Sequence, residues 1–200
     1  MNVITLVYKS TNSYLIQTDG GWLMIDSGWP DTFAQLLQLL NQNNISVHEV
    51  NYLVITHFHP DHAGLTQNLK DFGATLILHE YQVPYISKLN LLYKKNPKAN
   101  FKDITNSNNL VLSEAKSRSF LKSIGIEGEL ISTPGHSDDS ITLIIDNCCA
   151  FTGDLPALDL TEVYDDIVIE DSWDMIKKHS VKTIYPGHGA FYDLSKPEDV

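Results

Sequence analysis

The sequence is poor in cysteine, in positive charge and in long apolar runs, and each shortage closes off a class of protein. Its two cysteines are adjacent, Cys148 and Cys149, in a strand-like segment. Neighbouring strand residues face opposite ways, so the pair cannot form an ordinary disulfide framework, and neither has a CxxC partner for a thiolate metal site. Both read as reduced core residues. Lysine and arginine number 14 against 25 aspartates and glutamates, a formal net charge of -11. A protein that coats nucleic acid would carry a basic stripe, so no nucleic-acid partner is expected. The longest apolar runs, such as Leu76-Ile77-Leu78 and 141–145, fall far short of the roughly 18 residues that suggest a membrane span. No membrane partner is expected, and the protein should be soluble. Met1-Asn2-Val3-Ile4-Thr5 lacks the basic start and apolar stretch of a secretory signal, which makes the cytoplasm the expected compartment.

What is present is enough for one substantial core: 42% of the 200 residues are hydrophobic, and the simplest organisation is a single domain over 1–200. The charge is unevenly spread. Residues 1–80 carry 2 basic and 7 acidic groups, 81–125 carry 8 and 2, and 126–200 carry 4 and 16. The middle segment is therefore locally basic inside an acidic chain. Pro84, Pro97, Lys94-Lys95 and the polar run 106–109 break it up, while Tyr81, Tyr85, Leu89, Leu92 and Tyr93 suggest a short amphipathic helix. It reads as a helical and irregular insertion at about 81–125 that covers the functional site. Its lysines, Lys88, Lys94, Lys95 and Lys98 among them, are either solvated, paired with acidic groups in 159–174 within a chain or across a homodimer interface, or lined up to attract an anionic small-molecule substrate.

The densest chemistry lies at Thr56-His57-Phe58-His59-Pro60-Asp61-His62-Ala63-Gly64, directly after the apolar run 52–55. Three imidazoles and a carboxylate so close together suit borderline divalent metals: Zn²⁺, with Mn²⁺ or Fe²⁺ as alternatives. In extended backbone His57 and His59 share a face while His62 turns toward a neighbouring point. Pro60 stops the strand, and Asp61 is placed to cap a helix over 63–72.

The rest of the chain repeats one device, a short strand that ends in a polar residue beside glycine. Strands over 3–7, 12–18 and 22–26 form a meander ending in Asp26-Ser27-Gly28, followed by a helix over 33–40 behind an Asp31 cap. Asp26 either stabilises its turn or orients a ligand histidine from behind. A strand over 74–78 ends at His79, which reads as structural. A helix over 113–124 with Ser113 as cap leads to strands over 129–133, 141–146 and 148–152. The first of these opens onto Pro134-Gly135-His136 and the last onto Thr152-Gly153-Asp154. A helix over 171–179 precedes a last strand, 183–185, and Pro186-Gly187-His188-Gly189. Four strand ends thus carry seven candidate ligands: His57, His59, Asp61, His62, His136, Asp154 and His188. Seven exceed what one tetrahedral ion can use.

In these five motifs, taken in order across nearly the whole chain, the sequence resembles the metallo-β-lactamase-fold hydrolase superfamily, and within it the glyoxalase II-like and small metallo-hydrolase branch. The resemblance implies an α+β fold, a four-layer αββα sandwich of two mixed sheets with helices outside. It implies two metal ions, one held by His57, His59 and His136, the other by Asp61, His62 and His188, with Asp154 bridging. Asp61 is also the expected catalytic carboxylate. The chemistry implied is metal-activated water cleaving an ester, thioester or lactone. A phosphodiester or phosphomonoester hydrolase and an iron-dependent persulfide dioxygenase are the alternatives. Ala157 stands where the quorum-lactone hydrolases carry a tyrosine, and His59 stands where the flavodiiron branch carries glutamate.

Overall fold

Alternation of apolar residues along the strands sets the layers. The structure is a computed structural model that describes residues 2–95, 100–164 and 166–194. Pro97 and Lys98 lie outside the described residues. The first sheet runs in the order β1 (Val3–Tyr8), β2 (Thr11–Thr18), β3 (Gly21–Ile25), β4 (Val50–Val54), β5 (Thr75–His79) and β6 (Asn109–Leu112). Its first three strands are an antiparallel meander and the rest run parallel. The second sheet is ordered β11-β10-β9-β8-β7, from β7 (Gly128–Ser132), β8 (Ile141–Ile145), β9 (Cys149–Gly153), β10 (Thr183–Pro186) and β11 (Tyr192–Asp193). Only β9 and β10 are parallel in it.

Seven helices are described: α1 (Phe33–Gln42), α2 (Pro60–Ala63), α3 (Thr66–Asp71), α4 (Val83–Lys95), α5 (Glu114–Ser123), α6 (Thr161–Tyr164) and α7 (Ile167–Lys177). Leu53, Leu76 and Leu78 pack outward with Leu36, Leu40, Leu69, Ile86 and Leu89 of α1, α3 and α4. The alternate residues Val54 and Ile77 face inward with Ile16, Leu23 and Ile25, meeting Leu130, Leu143, Ile145 and Phe151 of the second sheet. Ile131, Ile144, Ala150 and Ile184 then face out against Ile169, Trp173 and Ile176 of α7. Three apolar interfaces separate four layers, the αββα sandwich expected. Because side chains alternate across a strand, each sheet supplies two of these interfaces from one sequence. Phe151 is fully buried and stacks on Tyr185 at 4.9 Å between centroids. Truncating it to alanine would cost about 3–5 kcal/mol.

Several local readings change. The helix expected over 63–72 is two helices, α2 ending at Ala63 and α3 beginning at Thr66, and the close approach between them admits only glycine at 64, where a Cβ would run into the Gly28 carbonyl and Pro30, both at 2.5 Å. Asp61 sits inside the first turn of α2 and does not cap it; His59 holds the N-cap position. Asp31 does not cap α1 but accepts from the Asn100 N–H at 3.0 Å. Helix α7 starts at Ile167, four residues early, capped by Asp166, which accepts from the Val168 N–H at 2.9 Å. The segment 81–125 is not only helical and irregular. It contributes β6 to the edge of the first sheet, paired with β5, and α5 lies against β7. Pro84 is accommodated in the first turn of α4, where its missing N–H has no partner to lose. Among the described residues no helix is long and apolar enough to cross a membrane.

Candidate metal centre

All seven candidate ligands meet at one end of the sandwich, on turns that leave the strands or, for Asp61 and His62, in the short helix α2. His57, His59, Asp61 and His62 follow β4; His136 follows β7, Asp154 follows β9 and His188 follows β10. Their ligand atoms form three groups, His57-His59-His136, His57-His62-Asp154 and Asp61-His62-His188, each with all atoms within 4.8 Å. The Asp154 carboxylate is central. It lies 3.8 Å from His57 Nε2, 3.3 Å from His62 Nε2, 3.5 Å from His136 Nε2 and 3.4 Å from His188 Nε2. Asp61 Oδ2 lies 3.3 Å from His188 Nε2 and 3.5 Å from His62 Nε2. On the other side His59 Nδ1 faces His136 Nε2 at 3.0 Å. Glycine makes the approach feasible, since a Cβ at Gly187 would strike both the Asp154 carboxylate and the His62 ring.

Behind the cluster one carboxylate sets two rings. Asp26, 2% exposed, accepts from the Thr56 N–H at Oδ1 and from the Thr56 hydroxyl and His62 Nδ1 at Oδ2, each at 2.8 Å. The Thr56 hydroxyl is also 3.3 Å from His57 Nδ1. With its own proton given to Asp26, that oxygen can accept from His57. Both buried imidazoles therefore carry their proton on Nδ1, and both Nε2 lone pairs point into the cluster. Of the two readings of Asp26, the geometry matches the one in which it orients a histidine.

Such a cluster is costly unless something binds it. His57 Nε2, His62 Nε2 and Asp154 Oδ1 are buried and have no hydrogen-bond partner. Their close approaches to one another lack hydrogen-bond geometry, and each buried polar atom left so costs about 1–3 kcal/mol. A divalent ion would supply the partner each lacks, and imidazole with carboxylate is a donor set that suits one. The two carboxylates draw a cation of some kind to His62: burial opposes charge there, but Asp26 and Asp154 outweigh it and push its pKa up to about 10, so a metal ion would take the place of a proton on Nε2 and release it. Burial also opposes charge on Asp154, yet His62, His57 and His188 hold it well below the usual carboxylate range. Burial, reinforced by His62, keeps His57 well below the ordinary imidazole value. Burial likewise lowers His136.

Sequence reasoning missed the residues that join the sheets at this end. The Asn12 side chain donates to the carbonyls of Pro186 at 3.0 Å and Gly189 at 2.8 Å, bracketing His188, and Tyr14 Oη donates to the Pro186 carbonyl at 2.6 Å. His188 Nδ1 meets the Ser10 carbonyl. Asp139 accepts from the Phe58 N–H at 2.6 Å, and Gln82 donates to the Ile55 carbonyl at 2.8 Å. An asparagine inside an otherwise strand-forming run was the available signal, since strands disfavour it. His79, His48, His179 and the two cysteines belong to none of the three groups. Nor do the basic residues of 81–125 pair with 159–174 among the described residues. Lys94 pairs with Asp103, Lys102 with Asp71, Lys122 with Glu127, and Arg118 with Glu129 and Asp146.

Two sheets back to back, with a histidine and aspartate cluster where their strands end, define a metal-dependent hydrolase-like protein. Residues 8–188 match the sequence profile of the metallo-β-lactamase superfamily, and the chain belongs to that family. It is 29% identical over 203 residues to a protein of Methanocaldococcus jannaschii described as a probable metallo-hydrolase, covering 92% of this chain and 90% of that one. It is 28% identical to a beta-lactamase-like protein 2 homolog of Caenorhabditis elegans, over 92% of this chain but 58% of the relative. Against a lactamase-like protein of Aspergillus fumigatus the identity is 28%, over 49% of that protein. The chain thus spans about half the length of some of the relatives it matches. In fold it is similar to a metallo-beta-lactamase family protein of Thermus thermophilus (TM-score 0.71, 19% identity, 96% of this chain and 74% of that one). A protein crystallised in a di-iron-bound form also matches (TM-score 0.67, 20% identity, 98% and 96%).

Proposed function

We propose that the chain is a hydrolase with a dinuclear centre, zinc being the first choice, that cleaves an ester, thioester or lactone bond of a small molecule. His57, His59 and His136 would hold one ion and Asp61, His62 and His188 the other, with Asp154 shared. The observation that carries this reading is the position of Asp154, with four histidine nitrogens from 3.3 to 3.8 Å around its carboxylate. When bound, two such ions supply Lewis acidity toward a carbonyl oxygen and lower the pKa of water toward about 7, which makes a hydroxide nucleophile available at neutral pH.

The remaining work falls to the chain. Asp26 and Thr56 fix the His62 and His57 tautomers, so the ligand lone pairs are in place before the substrate arrives. Asp61, partly exposed beside His188, accepts from the Thr11 hydroxyl at 3.4 Å. Its carboxylate is placed to take a proton from the attacking water and pass it to the leaving group. His59, His136 and His188 are the exposed ligands, so the substrate approaches over them.

The test is elemental analysis of the purified and metal-loaded protein, followed by a screen of ester, thioester, lactone and phosphodiester substrates. Two ions per chain with turnover of an acyl substrate supports the reading. One Fe²⁺ per chain with oxygen consumption would replace it with the oxygenase alternative, and turnover of phosphodiesters alone would move it to phosphoryl chemistry.

A further inference from the structure

A cavity of about 440 Å³ opens beside His59. Its floor is Phe58, His59 and Pro60, the strand-end turn itself, and its far wall is the Ser137–Asp139 turn that follows His136. The near wall is one face of α4, Tyr85, Lys88, Leu89 and Leu92, spaced as neighbours along a helix. The cavity therefore leads away from the His57-His59-His136 side of the cluster and not from the His188 side. Most of its lining is apolar: Leu89, at the base of the wall, is also buried in the core with Ile86, while Leu92, three residues on, stays 51% exposed.

Among the described residues Lys88 is the only lysine or arginine in this lining. Its Nζ stands 3.7 Å from the centre of the Tyr85 ring, and Tyr85 Oη is 3.5 Å from an Asp138 oxygen, which tethers the ring. Among the described residues no carboxylate lies within ion-pair distance of Lys88, whereas Lys94, Lys102 and Lys122 each have one. Asp139, across the cavity, is buried, and its carboxylate is engaged by the Phe58 N–H. An ammonium group held on an aromatic face in an apolar wall keeps its charge available to an incoming anion.

We infer that this cavity is the acyl subsite and that Lys88 anchors the far end of the acyl chain, so that the enzyme takes esters or thioesters of acids with an apolar middle and a terminal carboxylate. The inference rests on the hydrolase reading for its chemistry but not for its binding. An anchor of this kind binds ground state and transition state alike, so it acts on KM and leaves kcat in place.

The test compares calorimetric affinities of zinc-loaded protein for succinate, adipate and suberate with those for butyrate, hexanoate and octanoate. At least one diacid should bind about fivefold more tightly than the monoacid of equal length, the gain an exposed ion pair can supply. Lys88→Met should erase that preference, Lys88→Arg should restore it, and Lys94→Met, off the cavity, should keep it. The same contrast should recur in KM when ω-carboxyacyl thioesters are compared with their methyl-ester-capped counterparts. No diacid preference in the wild type, or a preference that survives in Lys88→Met, overturns the anchor. A preference that behaves as stated while no acyl substrate is turned over supports the subsite and overturns the hydrolase reading instead.

Discussion

Replacing Asp26 by asparagine tests the claim that this carboxylate governs the metal centre from behind. The substitution keeps volume and shape, and asparagine tolerates the left-handed backbone found here, φ 57°. It cannot keep all three hydrogen bonds. Asp26 accepts from three donors, two of them at Oδ2. If the amide oxygen takes the Oδ1 place and still receives the Thr56 N–H, the amide nitrogen faces His62 Nδ1 as a donor. His62 must then move its proton to Nε2, the atom that faces Asp61 and Asp154. If the amide flips, it sets a donor against the Thr56 N–H, and a buried unsatisfied group costs about 1–3 kcal/mol. The cheaper outcome leaves the fold nearly intact and blocks a ligand lone pair. Loss of such a supporting partner lowers metal affinity about 10- to 100-fold, or about 1.4–2.7 kcal/mol. Titrating apo protein with Zn²⁺ against a competing chelator dye should show the Asp61-His62-His188 ion weakened by that factor. The ion held by His57, His59 and His136 should weaken as well, because an amide nitrogen at the Oδ2 place cannot accept the Thr56 hydroxyl proton, which then turns toward His57 Nδ1 and moves the His57 proton to Nε2. No loss at either site with an unchanged melting temperature would refute the tautomer argument.

Four further outcomes are expected. Asp154→Ala should abolish turnover and weaken the second ion more than the first, read by elemental analysis and kinetics, while His48→Ala and His179→Ala stay near the wild type. Asn12→Ala should leave the Gly189 carbonyl without its side-chain donor and the Pro186 carbonyl with Tyr14 alone, costing about 1–2 kcal/mol of stability, and should weaken the ion beside His188 more than the ion beside His136. Burial lowers the Lys70 pKa from 10.5 to about 8, so between those values the unfolded chain holds a proton that the folded one has released. Stability should therefore rise with pH across that window, and Lys70→Met, followed by denaturation at several pH values, should flatten the rise. Removing bound metal with a chelator should lower the melting temperature by about 5–10 °C relative to protein at a hundredfold excess over Kd.

The ligands were legible because each sits in a short, ordered motif at the end of an apolar run, where composition and position reinforce each other. Nine strands were legible to within a residue or two for the same reason, but 183–185 is not the last: the two-residue β11 follows it. What escaped lies in pairings that sequence spacing does not encode. Asn12 and Gly189 are far apart in the chain, and only the closure of the two sheets brings them together. Strand β6 was hidden by the polar run before it, although Leu112 is buried while Val111 faces out. The start of α7 was hidden by Ile167-Val168-Ile169, β-branched residues with weak helix preference. Burial of Ile169, Trp173 and Ile176 against the second sheet overrides that preference. Asp61 and Asp31 looked like caps because aspartate before an apolar helix usually is one, yet each had a partner elsewhere in the fold.

The two sheets contribute unequal halves to the centre, and this explains why so many neutral hydrogen bonds gather around it. The first sheet brings His57, His59, Asp61 and His62, the second His136, Asp154 and His188. Between the sheets the apolar interface stops at this end, where repulsion among lone pairs and carboxylates would otherwise push the two edges apart. Backbone bonds cross the gap instead: the Ile141 N–H donates to the Thr56 carbonyl at 2.9 Å and the Asn12 N–H to the Gly187 carbonyl at 2.8 Å. Asn12, Tyr14 and Asp139 add side-chain bonds that cross the same gap. These bonds do not depend on protonation of the ligands, so they can hold the donors in register before any cation arrives. Ions then enter a site whose ordering entropy was met during folding, and their binding energy goes into affinity rather than assembly. The apo protein should accordingly keep both sheets and lose stability mainly at the turns that carry His59, His136 and His188, the exposed ligands. Hydrogen exchange on apo and loaded protein separates the cases: protection lost across β4 and β9 as well as those turns would mean that the metals assemble the sandwich, and the preformed site would be wrong.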